Sequence, residues 1–131
     1  MNDEVQMSND GQPQQRSKYD LEERTAKFGE SVVRFVKGIQ LTAVTNPIIG
    51  QLVRSATSIG ANYCEADDAG SRKEFLYRIS VCKREARETK HWLRMLVAAL
   101  PELKANARTL WVEAKELHLI FAAIFRAKTK K

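Results

Sequence analysis

From Phe75 to Leu100 a seam of mostly apolar side chains returns at alternating intervals of four and three: Phe75, Ile79, Cys82, Ala86, Thr89, Leu93, Leu96 and Leu100. That alternation fits one face of an α-helix and no strand, whose side chains alternate with a period of two. The pattern predicts a nearly straight bundle helix of about 29 residues, roughly 43 Å long at 1.5 Å per residue. A helix that long with a single apolar seam must lie against other helices along most of its length.

The flanking sequence supplies them. Leu103, Ala107, Leu110, Ala114, Leu117, Phe121 and Ile124 repeat the same seam after Pro101, which stops the preceding helix. Upstream, Leu52, Ala56, Ile59 and Tyr63, with Ile48 or Ile49, mark the buried face of a helix over 47–66. Leu21, Phe28, Val32, Phe35, Val36 and Ile39 mark another, from residue 18 to about 43. Gly29 and Gly38 weaken it by about 1 kcal/mol each relative to Ala, so packing must hold it. The expected fold is all-α, an antiparallel up-down-up-down four-helix bundle with helices near 18–43, 47–66, 72–100 and 102–128. Residues 1–17 are polar, with two large apolar side chains, and read as a disordered tail.

Local signals place the connections. Asn46 suits an N-cap with Pro47 at the first helical position. Ser71, with Glu74 three residues on, forms a capping box, and Gly70 before it can take the positive φ that short interhelical turns often need. Ser55–Ala61 is a run of small side chains that lets a neighbouring helix approach closely. Cys64 and Cys82 lack the spacing of a zinc or redox motif and read as small buried hydrophobes in a reducing compartment.

No apolar run is long enough to span a membrane, and no basic segment followed by an apolar block opens the chain, so a cytoplasmic protein is expected. Catalysis finds no support. No Ser–His–Asp or Cys–His constellation stands out, and the Glu-x-x-His pairs of bundle di-metal sites are missing. His91 and His118 are single and on different helices. Glu65, Asp67 and Asp68 read as a solvated turn rather than a cation site. No enzyme activity, metal or cofactor is expected.

Charge is the remaining signal. The net charge is +6, but residues 72–131 hold fifteen Lys and Arg against six Asp and Glu. On the third helix Lys83, Arg87, Lys90 and Arg94 form a basic stripe to one side of the seam, and Glu85 and Glu88 lie to the other. The basic stripe, with Arg54 as an addition, suits contacts to the phosphates of RNA or DNA. The alternative is that positive flank meets negative flank between subunits, with Glu85 and Glu88 in the interface. Trp111, Leu119, Ile120 and Phe125 lie off the fourth helix's seam, more apolar surface than an outer helix of a small monomer warrants, and are expected in a subunit contact too.

The densest stretch, Gln51 to Leu96, resembles the four-helix bundle family that includes proteins encoded within intervening sequences of bacterial 23S rRNA genes. The family's Gln-Leu-x-Arg-Ser/Ala-x-x-Ser-Ile-x-x-Asn pattern is matched by Gln51, Leu52, Arg54, Ser55, Ser58, Ile59 and Asn62, and the following Glu by Glu65. Phe75, Glu85, Glu88, Trp92 and Leu93 match the third helix. Ala66 replaces the usual Gly, and Gly60 stands where a proline is often found, as in the free-standing branch. The resemblance covers roughly residues 18–128. It implies a four-helix protomer in a homopentameric ring, and kinship in fold with the accessory proteins of diversity-generating retroelements, which associate with nucleic acid and a reverse transcriptase. The expected function is therefore a non-enzymatic oligomer that binds nucleic acid through basic faces of helices 3 and 4. The rival expectation is a structural or protein-interaction module, for example an accessory to a reverse transcriptase, whose charges serve assembly.

Overall fold

A computed structural model describes the backbone of residues 13–130 and the side chains of residues 21–130. Four α-helices follow one another: α1 (Pro13–Val36), α2 (Thr45–Asp67), α3 (Arg72–Ala99) and α4 (Lys104–Thr129), with a 3-10 turn at Pro101–Leu103 before α4. Among the described residues there is no strand, and no helix is long and apolar enough to cross a membrane. Of the tail expected over 1–17, residues 1–12 lie outside the described residues, and 13–17 belong to α1.

The α3 seam forms the centre of the core. Ile79, Cys82, Ala86, Thr89, Leu93 and Leu96 are buried, and Phe75 and Leu100 pack partly buried at its two ends. Facing them are Leu52, Ala56, Ile59 and Tyr63 of α2 and Ala107, Ala114, Leu117 and Phe121 of α4. The small residues of α2 serve close approach on two sides. Toward α1, a Cβ at Gly60 would lie 3.3 Å from Thr25 Oγ1, and one at Gly29 would lie 3.6 Å from the Thr57 backbone. Toward α3, Ser55 Oγ accepts a hydrogen bond from Thr89 Oγ1 at 2.9 Å, and Cys82 Sγ donates to the Ile59 carbonyl at 3.5 Å. The polar atoms inside this seam are thereby satisfied.

Several local expectations are corrected. α1 ends at Val36, not near residue 43, and Leu41 and Val44 are exposed in the connection. Asn46 does not cap α2. Thr42 does that work: its hydroxyl accepts from the Val44 and Thr45 backbone N–H groups at 3.2 and 3.0 Å, and Thr45 Oγ1 accepts from Thr42 N at 2.8 Å. The reciprocal Thr pair satisfies orphan donors one turn earlier than Asn46 could. At the α2–α3 turn Ser71 caps α3 by accepting from Glu74 N at 3.1 Å, as expected. The Glu74 carboxylate reaches back to Gly70 N at 3.3 Å rather than to the cap residue, and Gly70 does not adopt positive φ.

The two cysteines part company. Cys82 is buried, whereas Cys64 is exposed and so is not the buried hydrophobe expected. Burial pushes the Cys82 thiol up to about 12 from an ordinary value of 9.0. Native protein is therefore expected to take up one alkyl group per chain from iodoacetamide, at Cys64, and a second only after unfolding; peptide mass spectrometry checks both. The same shift fixes a pH dependence. Native Cys82 keeps its proton to higher pH than the unfolded chain does. Its contribution to stability is whole below pH 9 and lost as pH climbs toward 12.

Candidate nucleic-acid interface

Two basic stripes border one groove. On α3, positions 83, 87, 90 and 94 lie beside the buried seam, and on α4 Lys104, Arg108 and Lys115 hold the matching positions around Trp111. Residues four and three apart share a helix face, so both stripes follow from the sequence once α3 and α4 are packed side by side. Arg87 and Arg94 are exposed. Lys83 and Lys90 are half-buried, their ammonium groups 5.9 Å from the Phe125 ring centroid and 5.4 Å from that of Trp111. Arg108 and Lys115 also lie over the Trp111 ring, at 5.6 and 5.8 Å. One indole thus gathers three cations from two helices.

The groove continues toward the α3–α4 turn. Leu93, Val97 and Ala107 line its apolar part, and Arg94, Lys104, Arg108 and Trp111 complete the wall around a volume of about 270 Å³. Among the described residues, neither the four α3 cations nor Lys104, Arg108 and Lys115 make an ion pair. At the groove's other end the Lys83 carbonyl lies 3.1 Å from His118 Nδ1.

The carboxylates of the same helices are taken up on other faces. Arg54 reaches Glu85 at 3.1 Å and also pairs with Glu88. Gln51 Oε1 accepts from Arg54 Nε at 2.9 Å. The indole N–H of Trp92 donates to Glu88 at 2.9 Å and, with Arg54 beside it, holds that carboxyl below the usual carboxylate range. On the α1 side Arg24 forms a bidentate pair with Glu113, at 2.7 and 2.9 Å, and reaches Glu116 at 3.4 Å. Pairing Glu113 and Glu116 with α1 and Glu85 and Glu88 with α2 leaves the α3–α4 face to the bases. The result is a surface of one sign with apolar rings set into it.

The sequence-predicted residues divide accordingly. Lys83, Arg87, Lys90 and Arg94 come together on the groove. Arg54 stands apart from them, holding Glu85 and Glu88 within its own protomer, so all three are already partnered. Trp111 and Phe125 pack on the core along the groove. Leu119 is exposed and Ile120 half-buried, and Val112, seven residues before Leu119, is exposed as well. Lys104, Arg108 and Lys115 were not singled out from the sequence, although their spacing about Trp111 carries the same signal as the α3 stripe. Among the described residues no group of three or more His, Cys, Asp or Glu is placed to hold a metal ion.

No curated protein matches the chain. Its fold is similar to the crystal structure of a protein with unknown function from the S23 ribosomal protein family of Bacteroides thetaiotaomicron VPI-5482. The two superpose with a TM-score of 0.73 at 24% identity, over 83% of this chain and 97% of that one. The family model for the 23S rRNA-intervening sequence protein matches residues 17–120, which takes in α2, α3 and the greater part of α1 and α4. The α3 stripe and the Lys104, Arg108, Trp111 and Lys115 stretch of α4 thus lie inside the matched region, and the chain belongs to the 23S rRNA-intervening sequence protein family.

Proposed function

We propose that this chain is a non-enzymatic, self-assembling helical protein of the cytoplasm that binds RNA or DNA through the α3–α4 face. The carrying observation is the sorting of charge: Glu85, Glu88, Glu113 and Glu116 are paired on other faces, and among the described residues the cations of the shared groove have no carboxylate partner. A row of unpaired cations loses self-repulsion when a polyanion lies along it. From Lys83 to Arg94 the α3 stripe runs about 16 Å at 1.5 Å per residue, long enough to meet several successive phosphates.

The protomer is read as an antiparallel up-down-up-down bundle. Supporting this, Arg54 meets Glu85 and Glu88 while Asn62, further along α2, meets Arg78, earlier on α3. In the same sense Lys90 meets Trp111 while Lys83 meets Phe125. Copies assemble as a homo-oligomer, five in a ring being the number that the family resemblance implies, and exposed Val112 and Leu119 are apolar surface available for that contact.

Electrophoretic shift of a structured RNA across a salt series tests the binding. With about four phosphate contacts, affinity should fall on the order of a hundred-fold between roughly 50 and 200 mM salt. No shift at low salt, or affinity indifferent to salt, sinks the proposal.

A further inference from the structure

The α3–α4 groove is more than a basic strip, because its cations surround an apolar hollow with an indole in its wall. A strip that only tracks phosphates has no use for such a hollow. Its volume, about 270 Å³, falls below the roughly 300–1,000 Å³ of pockets that enclose drug-sized ligands. One planar ring is the scale it suits. Its apolar lining, Leu93, Val97 and Ala107, offers that ring no hydrogen-bond partner, while Arg94, Lys104 and Arg108 rim it with positive charge. An occupant that is flat and apolar on its faces and anionic at its edge complements both features.

We infer that the groove seats an unpaired nucleobase of a single strand, its ring against Trp111 and the hollow's apolar lining and its flanking phosphates among Arg94, Lys104 and Arg108. This rests on the nucleic-acid reading above and narrows it to single-stranded segments, since a base paired in a duplex must first unpair and unstack, at a cost that a single strand does not incur. Lys90, Arg108 and Lys115, which lie over the indole in the free protein, are long and flexible. They swing toward the strand's phosphates and uncover the ring as the base arrives. Recognition of this kind tolerates any base, because every base has a π-face.

The test compares short oligothymidylate with an abasic strand of the same length and charge, by fluorescence anisotropy with the full chain. The wild type should prefer oligothymidylate by on the order of ten-fold, the size of one base–aromatic stack. Trp111→Leu should abolish that preference, its own affinity for the abasic strand serving as the reference, and Trp111→Phe should retain most of it. Equal wild-type affinity for the two strands, with a steep salt dependence intact, overturns the base seat and leaves phosphate binding standing. Failure to bind either strand or a structured RNA overturns both. The wild-type comparison needs no substitution, so a Trp111 variant that misfolds does not rescue the idea.

Discussion

Replacing Phe121 by Ala is expected to lower the stability of the protein by about 3–5 kcal/mol, the largest loss of any single truncation on α4. Phe121 is the bulkiest side chain fully withdrawn from solvent, and its ring centroid lies 6.0 Å from that of Tyr63 at an interplanar angle of 50°. Truncation removes both the buried area and a tilted ring pair, worth about 0.5–1.5 kcal/mol beyond area. The hollow left behind is walled by helices that cannot close on it without moving α2 and α4 together. Denaturant melts at fixed protomer concentration check the figure, since assembly makes apparent stability depend on concentration. Leu119→Ala is the contrast. Leu119 is 56% exposed, so its loss should change protomer stability by no more than about 0.5 kcal/mol, while any contact it makes between copies would show as a lower sedimentation mass. A loss below about 1 kcal/mol for Phe121→Ala would mean that α4 is not anchored on α2 through this ring.

Phe121 is legible in the sequence alone, and so is nearly every buried residue of α3, because a seam that recurs every three or four residues over many turns leaves one face to bury. The ends of elements were less legible for a physical reason. Thr42 and Asn46 are both competent N-caps, and which one is used depends on where α1 releases the chain, a matter of packing rather than propensity. Cys64 misled because residue type was weighed above phase: buried positions 52, 56, 59, 63 and 66 set the α2 seam, and Cys64 lies one position off it. The charges were legible as stripes but not as partners. Sequence spacing sets Arg54 on α2 and Glu85 and Glu88 on one flank of α3, yet only the packing of α2 against that flank turns them into one ion-pair cluster. Trp111 shows the same limit. Its off-seam position is read from the sequence as a subunit contact, and spacing alone does not show that Lys90 from α3 and Arg108 and Lys115 from its own helix gather over its ring.

That groove makes the second large effect specific. Arg87→Glu combined with Lys90→Glu should weaken nucleic-acid binding on the order of a hundred-fold or more at low salt and flatten its salt dependence by about 0.7–0.9 per lost phosphate contact. The size comes from more than two missing cations. A carboxylate at position 90 would sit beside Arg108 and Lys115, which make no ion pair among the described residues, and would claim them in place of a phosphate. Folding should be little affected, because Arg87 is exposed and the Lys90–Trp111 contact is worth about 0.5–1 kcal/mol. Thermal melts and sedimentation on the same sample separate the outcomes. Lost binding with unchanged mass assigns the stripe to nucleic acid. Dissociation into protomers would mean that these cations join copies of the chain, and retained binding with an unchanged salt slope would move the nucleic acid to another face. The Arg54 cluster supplies the internal control: Arg54→Ala removes the ion-pair partner of Glu85 and Glu88 on the far flank of α3, and a groove that binds phosphate directly should register that change only as a small, salt-screened shift in affinity.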